Sequence, residues 1–239
     1  MLWERPAEIP FPTVWHEFQG PDVGDTDNLV SYRVEDLTPN RFDDIVEHFL
    51  DHFLTAEPEY VAKGVPGDEL ARREIVDFWR WCFARRLTLV CYKEASRTII
   101  GGILLNVKMK EGQNARMVES EKLKGIFASN EYLTDTFDVF GNYGVSEYLT
   151  ACGMAVHRNY HGTGICGEML RAQIPICKAL GLKVISTNFT GTETQAVAAK
   201  VGFRSDLEMS YDELAKLNPL FTFPRIASRS TKVMSLVIK

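Results

Sequence analysis

Two places along this chain carry residue types whose spacing could do chemistry. In His161-Gly162-Thr163-Gly164-Ile165-Cys166-Gly167, glycines and small side chains stand between an apolar run and a segment of helical periodicity. A strand that turns through such a loop into a helix leaves backbone N–H groups converging on one point. The positive end of the helix dipole lies behind them, and the result is an anion site. The ordinary alternative is a tight turn whose glycines serve chain geometry alone. The second place is Glu57-Pro58. Proline disfavours the α conformation in the residue before it, so the Glu57 carboxylate turns out of the helix it ends and can face a cleft as a proton acceptor. A glutamate at a helix end is equally an ordinary surface charge.

Gly162, Gly164 and Gly167 also match the dinucleotide pattern GxGxxG, and context excludes that match. A dinucleotide fold needs the motif in its first strand-to-helix turn, with an acidic residue about 20 positions on to hold the ribose. Here the motif begins too late for a doubly wound sheet to follow. Thr187 and Asn188 stand where the acid belongs. No Gly-Lys-Ser/Thr follows, so the loop is not that of a nucleoside triphosphatase.

The elements that must position these residues are legible from periodicity. Residues 29–37 alternate as a strand does. Pro39 suits a first helical turn, and Phe42, Ile45, Val46, Phe49, Phe53 and Leu54 then make one apolar stripe that must stop near Glu57. A second helix runs from Asp68, a good N-cap, to Arg86. Strands over 87–93 and 98–108 form a hairpin. Two short helices are expected around 117–127 and 132–140, then a strand over 148–156, the glycine loop and a helix over 165–180. Residues 182–187 read as a buried strand and 193–201 as a helix ended by Gly202, and strands near 203–210 and 231–238 close the chain. The order is β-αα-ββ-(αα)-β-α-β-α-β-β. It predicts a mixed α/β sheet of about seven strands flanked by helices. Residues 1–28, with Trp3, Pro6, Pro10, Pro12, Trp15 and Pro21, read as an arm laid over the domain.

Composition bounds the function. The 239 residues are 45% hydrophobic and 25% charged, which a well-filled globular core requires. A net charge of -5 repels phosphate backbones and anionic lipid, so neither nucleic acid nor a membrane surface is an expected partner. No run approaches the ~18 apolar residues of a membrane span. Cys82, Cys91, Cys152, Cys166 and Cys177 show no CxxC spacing, and the histidines include no HExxH. Reduced thiols in a cytoplasmic protein and no metal are the expectation.

Residues 156–167 resemble the acetyl-CoA loop of the GCN5-related N-acetyltransferases, Arg/Gln-x-x-Gly-x-Gly/Ala, with Gly164 on the central glycine. His161 replaces the usual Arg or Gln, and Cys166 the last small residue. The order of elements over 29–239 resembles that family's domain, as does Lys200-Val201-Gly202-Phe203. Glu57-Pro58, the insertion before the loop strand and Tyr160-His161-Gly162-Thr163-Gly164-Ile165 resemble the insect arylalkylamine N-acetyltransferases and their polyamine-acting relatives. Ala56 departs from the acidic residue common there.

The resemblance implies acetyl-CoA as co-substrate and a small primary amine as acceptor. It makes Glu57 the general base and places Thr194 near the thiol and Thr190 near the substrate. These hydroxyls could instead cap the helix that follows. Cofactor contacts are implied for Met154, Ala155, Val156, residues 161–167 and Asn188. Phe137, Asp138, Phe140 and Tyr143 offer aromatic faces and a carboxylate to a cationic or aromatic amine, or simply pack in the core. A monomer or weak homodimer is expected. The alternatives are an agmatine, polyamine or longer-chain acyltransferase, and a non-catalytic CoA-binding module.

Overall fold

A computed structural model describes residues 3–94, 96–111 and 118–239. The chain opens on a hairpin of β1 (Val14–Asp22) and β2 (Asp25–Asp36), followed by α1 (Phe42–His52), α2 (Pro58–Ala62) and α3 (Glu69–Phe83). Then come β3 (Leu89–Lys93), β4 (Ile99–Met109), α4 (Glu121–Phe137), α5 (Val139–Tyr143) and β5 (Glu147–Val156). The last part comprises α6 (Ile165–Ala179), β6 (Val184–Phe189), α7 (Thr192–Val201), β7 (Arg204–Ser210), α8 (Tyr211–Leu217) and β8 (Ser230–Val237).

One sheet of eight strands in the order β1-β2-β3-β4-β5-β6-β8-β7 runs through the molecule. The mixed α/β class holds, and the strand beyond the expected seven is β1. Of the residues expected as an arm, 14–22 are therefore an edge strand paired antiparallel to β2. Among the described residues, 3–13 lie outside the sheet and 25–28 belong to β2.

Two apolar cores face opposite sides of the sheet. One is built from Ile45 and Phe49 of α1, Ile75 and Trp79 of α3 and Ile126 of α4. The other holds Ile165, Met169 and Ile176 of α6 and Ala198 of α7. Adjacent glycines in β4 let both layers approach. A Cβ at Gly101 would lie 2.6 Å from Met169 Sδ, and one at Gly102 would lie 2.5 Å from Ile45 Cδ1 and 2.8 Å from Phe49 Cε2.

Several element ends differ from expectation. Helix α1 stops at His52, before the last two residues of its expected stripe, and Phe53 to Ala56 form turns before Pro58 opens a new short helix at its first position. Asp68 caps α3 as expected, accepting from the Ala71 N–H at 2.9 Å. The two helices expected around 117–127 and 132–140 are instead one helix, α4, broken at Asp138 (φ 49°) before α5. The start of the first, Met117, lies outside the described residues. Helix α8, not foreseen, carries a capping box between Ser210 and Glu213.

Candidate active site

The strands β5 and β6 are the parallel pair of the sheet, and they part. Leu149 pairs with Ile185 near their starts, and two residues on, the Ala151 N–H donates to the Thr187 hydroxyl at 3.0 Å. From there β5 follows β4 as far as Val156, while β6 follows β8 as far as Phe189. A wedge opens between them. The divergence coincides with a bulge in β5, where Leu104 pairs with Gly153 and Leu105 with Ala151, leaving Cys152 as the extra residue. Gly153 serves close packing: a Cβ there would stand 3.3 Å from Phe53 and 3.4 Å from Phe49. The Cys152 thiol meets that of Cys82, which lowers its pKa against the opposing effect of burial.

Beyond β5 the chain makes one 3-10 turn, Arg158–Tyr160, and enters the glycine loop. Gly162 (φ 82°) and Gly164 (φ 90°) both take the left-handed region, with nothing within 4 Å of a Cβ at either. The demand for glycine is thus conformational, and the space before the loop is open. Thr163 is held by Tyr160, whose carbonyl accepts its hydroxyl at 2.6 Å. Gly164 is the N-cap of α6, so the N–H groups of Ile165 and Cys166 have no acceptor within the helix. Ile165 and Gly167 face the core, and Cys166 is half-buried with its thiol raised to about 11 by burial. The exposed His161 folds back, Nε2 3.0 Å from the Val156 carbonyl.

Met154, Ala155 and Val156 form the end of β5, on the wedge. His48 of α1 reaches this strand, Nε2 3.4 Å from the Ala155 carbonyl, and burial lowers its pKa to about 4. His48, His52 and His157 form a contiguous ring series, with centroids 4.8 and 4.3 Å apart. Spacing could not have shown this group, since α1 and the end of β5 meet only in the fold.

Glu57 lies at the start of α2 in extended backbone (ψ 119°), as Pro58 requires. Its carboxylate accepts the Thr190 hydroxyl, so the structure brings two of the nominated residues together across the end of β6. Burial raises its carboxyl above the usual range, and the Thr190 hydroxyl and Glu59 N–H work against that rise. Thr194 instead donates to the Gly191 carbonyl at 2.8 Å within the first turn of α7. It stays close by, because a Cβ at Gly191 would lie 3.2 Å from the Thr194 hydroxyl and 3.9 Å from Pro58 Cγ.

Sequence reasoning missed Glu59. It is buried at 1% exposure, and its carboxylate accepts from Asn130 Nδ2 at 3.1 Å and the Tyr211 hydroxyl at 3.1 Å. Asn188, expected at the cofactor, gives its amide N–H groups to Asn130, at 2.9 Å to the carbonyl and 2.8 Å to Oδ1. Its side chain therefore belongs to this inner network.

Phe137, Asp138 and Tyr143 do not join the group around Glu57. Asp138 caps α5, accepting the Gly141 N–H at 3.0 Å, and Phe137 packs on Tyr143. Tyr143 donates to Asp206 at 2.9 Å and also meets Ser235, which pairs with Ser186. Phe140 packs on Tyr148, beside the Leu149 pairing. These residues thus sit where β5 and β6 are still joined, while Thr190 lies four residues past Ser186, on the order of 13 Å of extended chain. Among the described residues no group of three or more His, Cys, Asp or Glu could hold a metal ion. No described helix is long and apolar enough to cross a membrane.

No protein-family model and no curated relative matches the chain. Solved structures do. The crystal structure designated arylalkylamine N-acetyltransferase 7 from the yellow fever mosquito Aedes aegypti is 38% identical, with 99% of this chain and 100% of that one covered and a TM-score of 0.95. Arylalkylamine N-acetyltransferase 2 of the same mosquito aligns over 87% of this chain and 99% of its own at 19% identity and a TM-score of 0.75. The Drosophila melanogaster polyamine N-acetyltransferase, described as forming N-acetylagmatine, aligns over 87% and 100% at 14% identity and 0.71. At those identities the last two share the fold.

Proposed function

The chain belongs to the insect arylalkylamine N-acetyltransferase family, and from that premise we propose that it transfers acetyl from acetyl-CoA to the primary amine of a small arylalkylamine, with Glu57 as general base. One observation carries this reading. A half-buried carboxylate, held by Thr190, stands at the end of the wedge between β5 and β6, whose far strand leads through one 3-10 turn into the loop capping α6.

The residues present fit the co-substrate. Gly162 and Gly164 leave open space before a helix N-terminus, which suits a pyrophosphate. The residues that would hold it are 161–167, with Met154, Ala155 and Val156 offering backbone groups to the pantetheine arm. Acetyl-CoA supplies an activated acyl thioester, in which a bond from the amine nitrogen to the carbonyl carbon replaces the C–S bond and the electron pair leaves with sulfur. The acceptor nitrogen enters as an ammonium and sheds two protons in all, while the thiolate takes up one. Glu57 receives the proton whose loss frees the nitrogen lone pair. That step needs a base, because an alkylamine of pKa about 10.4 is neutral to only about one part in 2,500 at pH 7. The raised carboxyl makes Glu57 a better proton acceptor than an exposed glutamate.

The decisive experiment measures free CoA thiol over dopamine, tryptamine, tyramine, agmatine and spermidine. Release with the aromatic amines is the expected result. Release confined to agmatine or spermidine would move the acceptor to the polyamines, and binding of acetyl-CoA with no release from any amine would sink the enzymatic reading. Glu57→Gln should lower kcat by about 10²- to 10⁴-fold while leaving acetyl-CoA affinity, measured by calorimetry, unchanged.

A further inference from the structure

We propose that Glu59 is a positioning residue for this transfer, a carboxylic acid that keeps its proton beside Glu57 and so sets the charge with which Glu57 acts as base. The inference rests on the role of Glu57 proposed above. Acidic side chains are almost never fully buried unless paired, yet Glu59 is buried at 1% exposure among neutral hydrogen-bond partners, Asn130 of α4 and Tyr211 of α8. Lys63, the cation whose field it feels, donates instead to the Leu220 carbonyl at 2.7 Å and stands 4.8 Å from the Phe223 ring centroid. The other titratable groups facing Glu59 are Glu57 across the turn, Tyr60 on its own helix and Tyr211, and both phenols are pushed up by burial.

Two carboxylates sharing one desolvated site titrate as a pair, because the second charge must be made beside the first. Each carboxylate accepts two hydrogen bonds, Glu57 from the Thr190 hydroxyl and the Glu59 N–H, Glu59 from Asn130 and Tyr211, so donors do not decide which keeps the charge. Solvent does: Glu57 is half-buried and Glu59 is at 1% exposure, so the anion settles on Glu57. Burial first, and the Glu57 charge second, push Glu59 up to about 8. At neutral pH the pair therefore carries one negative charge, on Glu57, and one proton, on Glu59. Ionising Glu59 places a second charge beside Glu57 and increases its affinity for a proton.

The test is Glu59→Gln in the full chain, which keeps the shape and an oxygen acceptor but cannot ionise. Two readouts apply, kcat/KM from about pH 6 to 9 and urea stability over about pH 5 to 9. The ratio of variant to wild-type kcat/KM should be flat below about pH 7 and fall several-fold through the inflection, where wild-type Glu57 gains basicity and the variant does not. The stability readout has a fixed sign. Since the folded value lies above the ordinary 4.5, the stabilisation from protonated Glu59 is full below 4.5 and is lost as pH rises to about 8. The stability of the variant relative to wild type should therefore climb over that interval and level off above it.

A kcat/KM ratio and a stability difference that are both independent of pH would overturn the proposal. Should Glu59→Gln fail to fold, Tyr211→Phe removes a donor that favours the Glu59 anion, and it must move the wild-type inflection to higher pH. An unmoved inflection also counts against the proposal. If Glu57→Gln leaves turnover intact, the base and the positioning role fall together, while the stability difference still reports whether Glu59 holds its proton.

Discussion

Thr190 is the side chain that favours the charged form of Glu57, against the burial that opposes it. A hydrogen bond to a charged group is worth about 1.5–3 kcal/mol, equivalent to one to two pH units of carboxyl acidity. Thr190→Val keeps the volume and removes the donor, so the Glu57 carboxyl should rise further. The base exists only above that value, and the acid limb of kcat/KM should therefore move up by about one unit or more. An unmoved limb would show that the titrating base is not Glu57. At this scale the sequence was readable where the cause is local. Pro58 sits beside Glu57, and the two left-handed glycines sit beside the helix they cap. Glu59 was unreadable because the partners that make it unusual, Asn130 and Tyr211, are 71 and 152 residues away. The partner of the Asn188 side chain was hidden for the same reason, since Asn130 of α4 lies 58 residues away.

At the scale of elements, the site exists because helices press on both faces of β4. The approach is asymmetric, and the asymmetry is testable. Gly102→Ala would drive a methyl onto Ile45 and Phe49, whose positions are fixed by the α1 stripe and the Trp79 ring beneath it. Overpacking of that kind costs about 1–3 kcal/mol. Gly101→Ala meets the end of the flexible Met169 side chain, which can turn aside. Urea denaturation should find the first variant clearly less stable than the second. Equal losses would show that α1 is no more rigid against the sheet than α6. The order of elements followed from periodicity, but their ends did not. Helix α2 is a single proline-started turn too short for a periodic pattern, and the break at Asp138 depends on a left-handed aspartate. Phe137 and Tyr143 were nominated by residue type. Only the point at which β5 and β6 separate shows that they lie at the joined end of the wedge.

At the scale of the whole molecule, the segment before β1 is fastened to the sheet through one buried carboxylate. Asp36, at the end of β2, accepts from Arg5 at 2.9 Å, from Trp15 Nε1 at 2.8 Å and from the Thr13 N–H at 2.9 Å. Arg5 also donates to the carbonyls of Arg86 and Pro10, both at 2.6 Å, and stacks over Phe11 and Trp15. The side chains of the pair are 4% and 0% exposed. Removing one partner of a buried pair strands the other charge and costs about 3–5 kcal/mol, whereas removing both avoids that penalty. Asp36→Ala and Arg5→Ala should each be strongly destabilising, and the double variant should lose less than the sum of the two. The coupling belongs to the pair, because the neutral donors Trp15 and Thr13 remain in every variant. Measured by urea denaturation, strict additivity would show that the two act independently, Asp36 through Trp15 and Thr13 and Arg5 through the Arg86 and Pro10 carbonyls. Limited proteolysis of Asp36→Ala reads the fastening itself: a segment fastened through Asp36 should be cleaved within residues 3–13 before the rest of the chain unfolds, and resistance equal to the wild type would show that Asp36 does not fasten it.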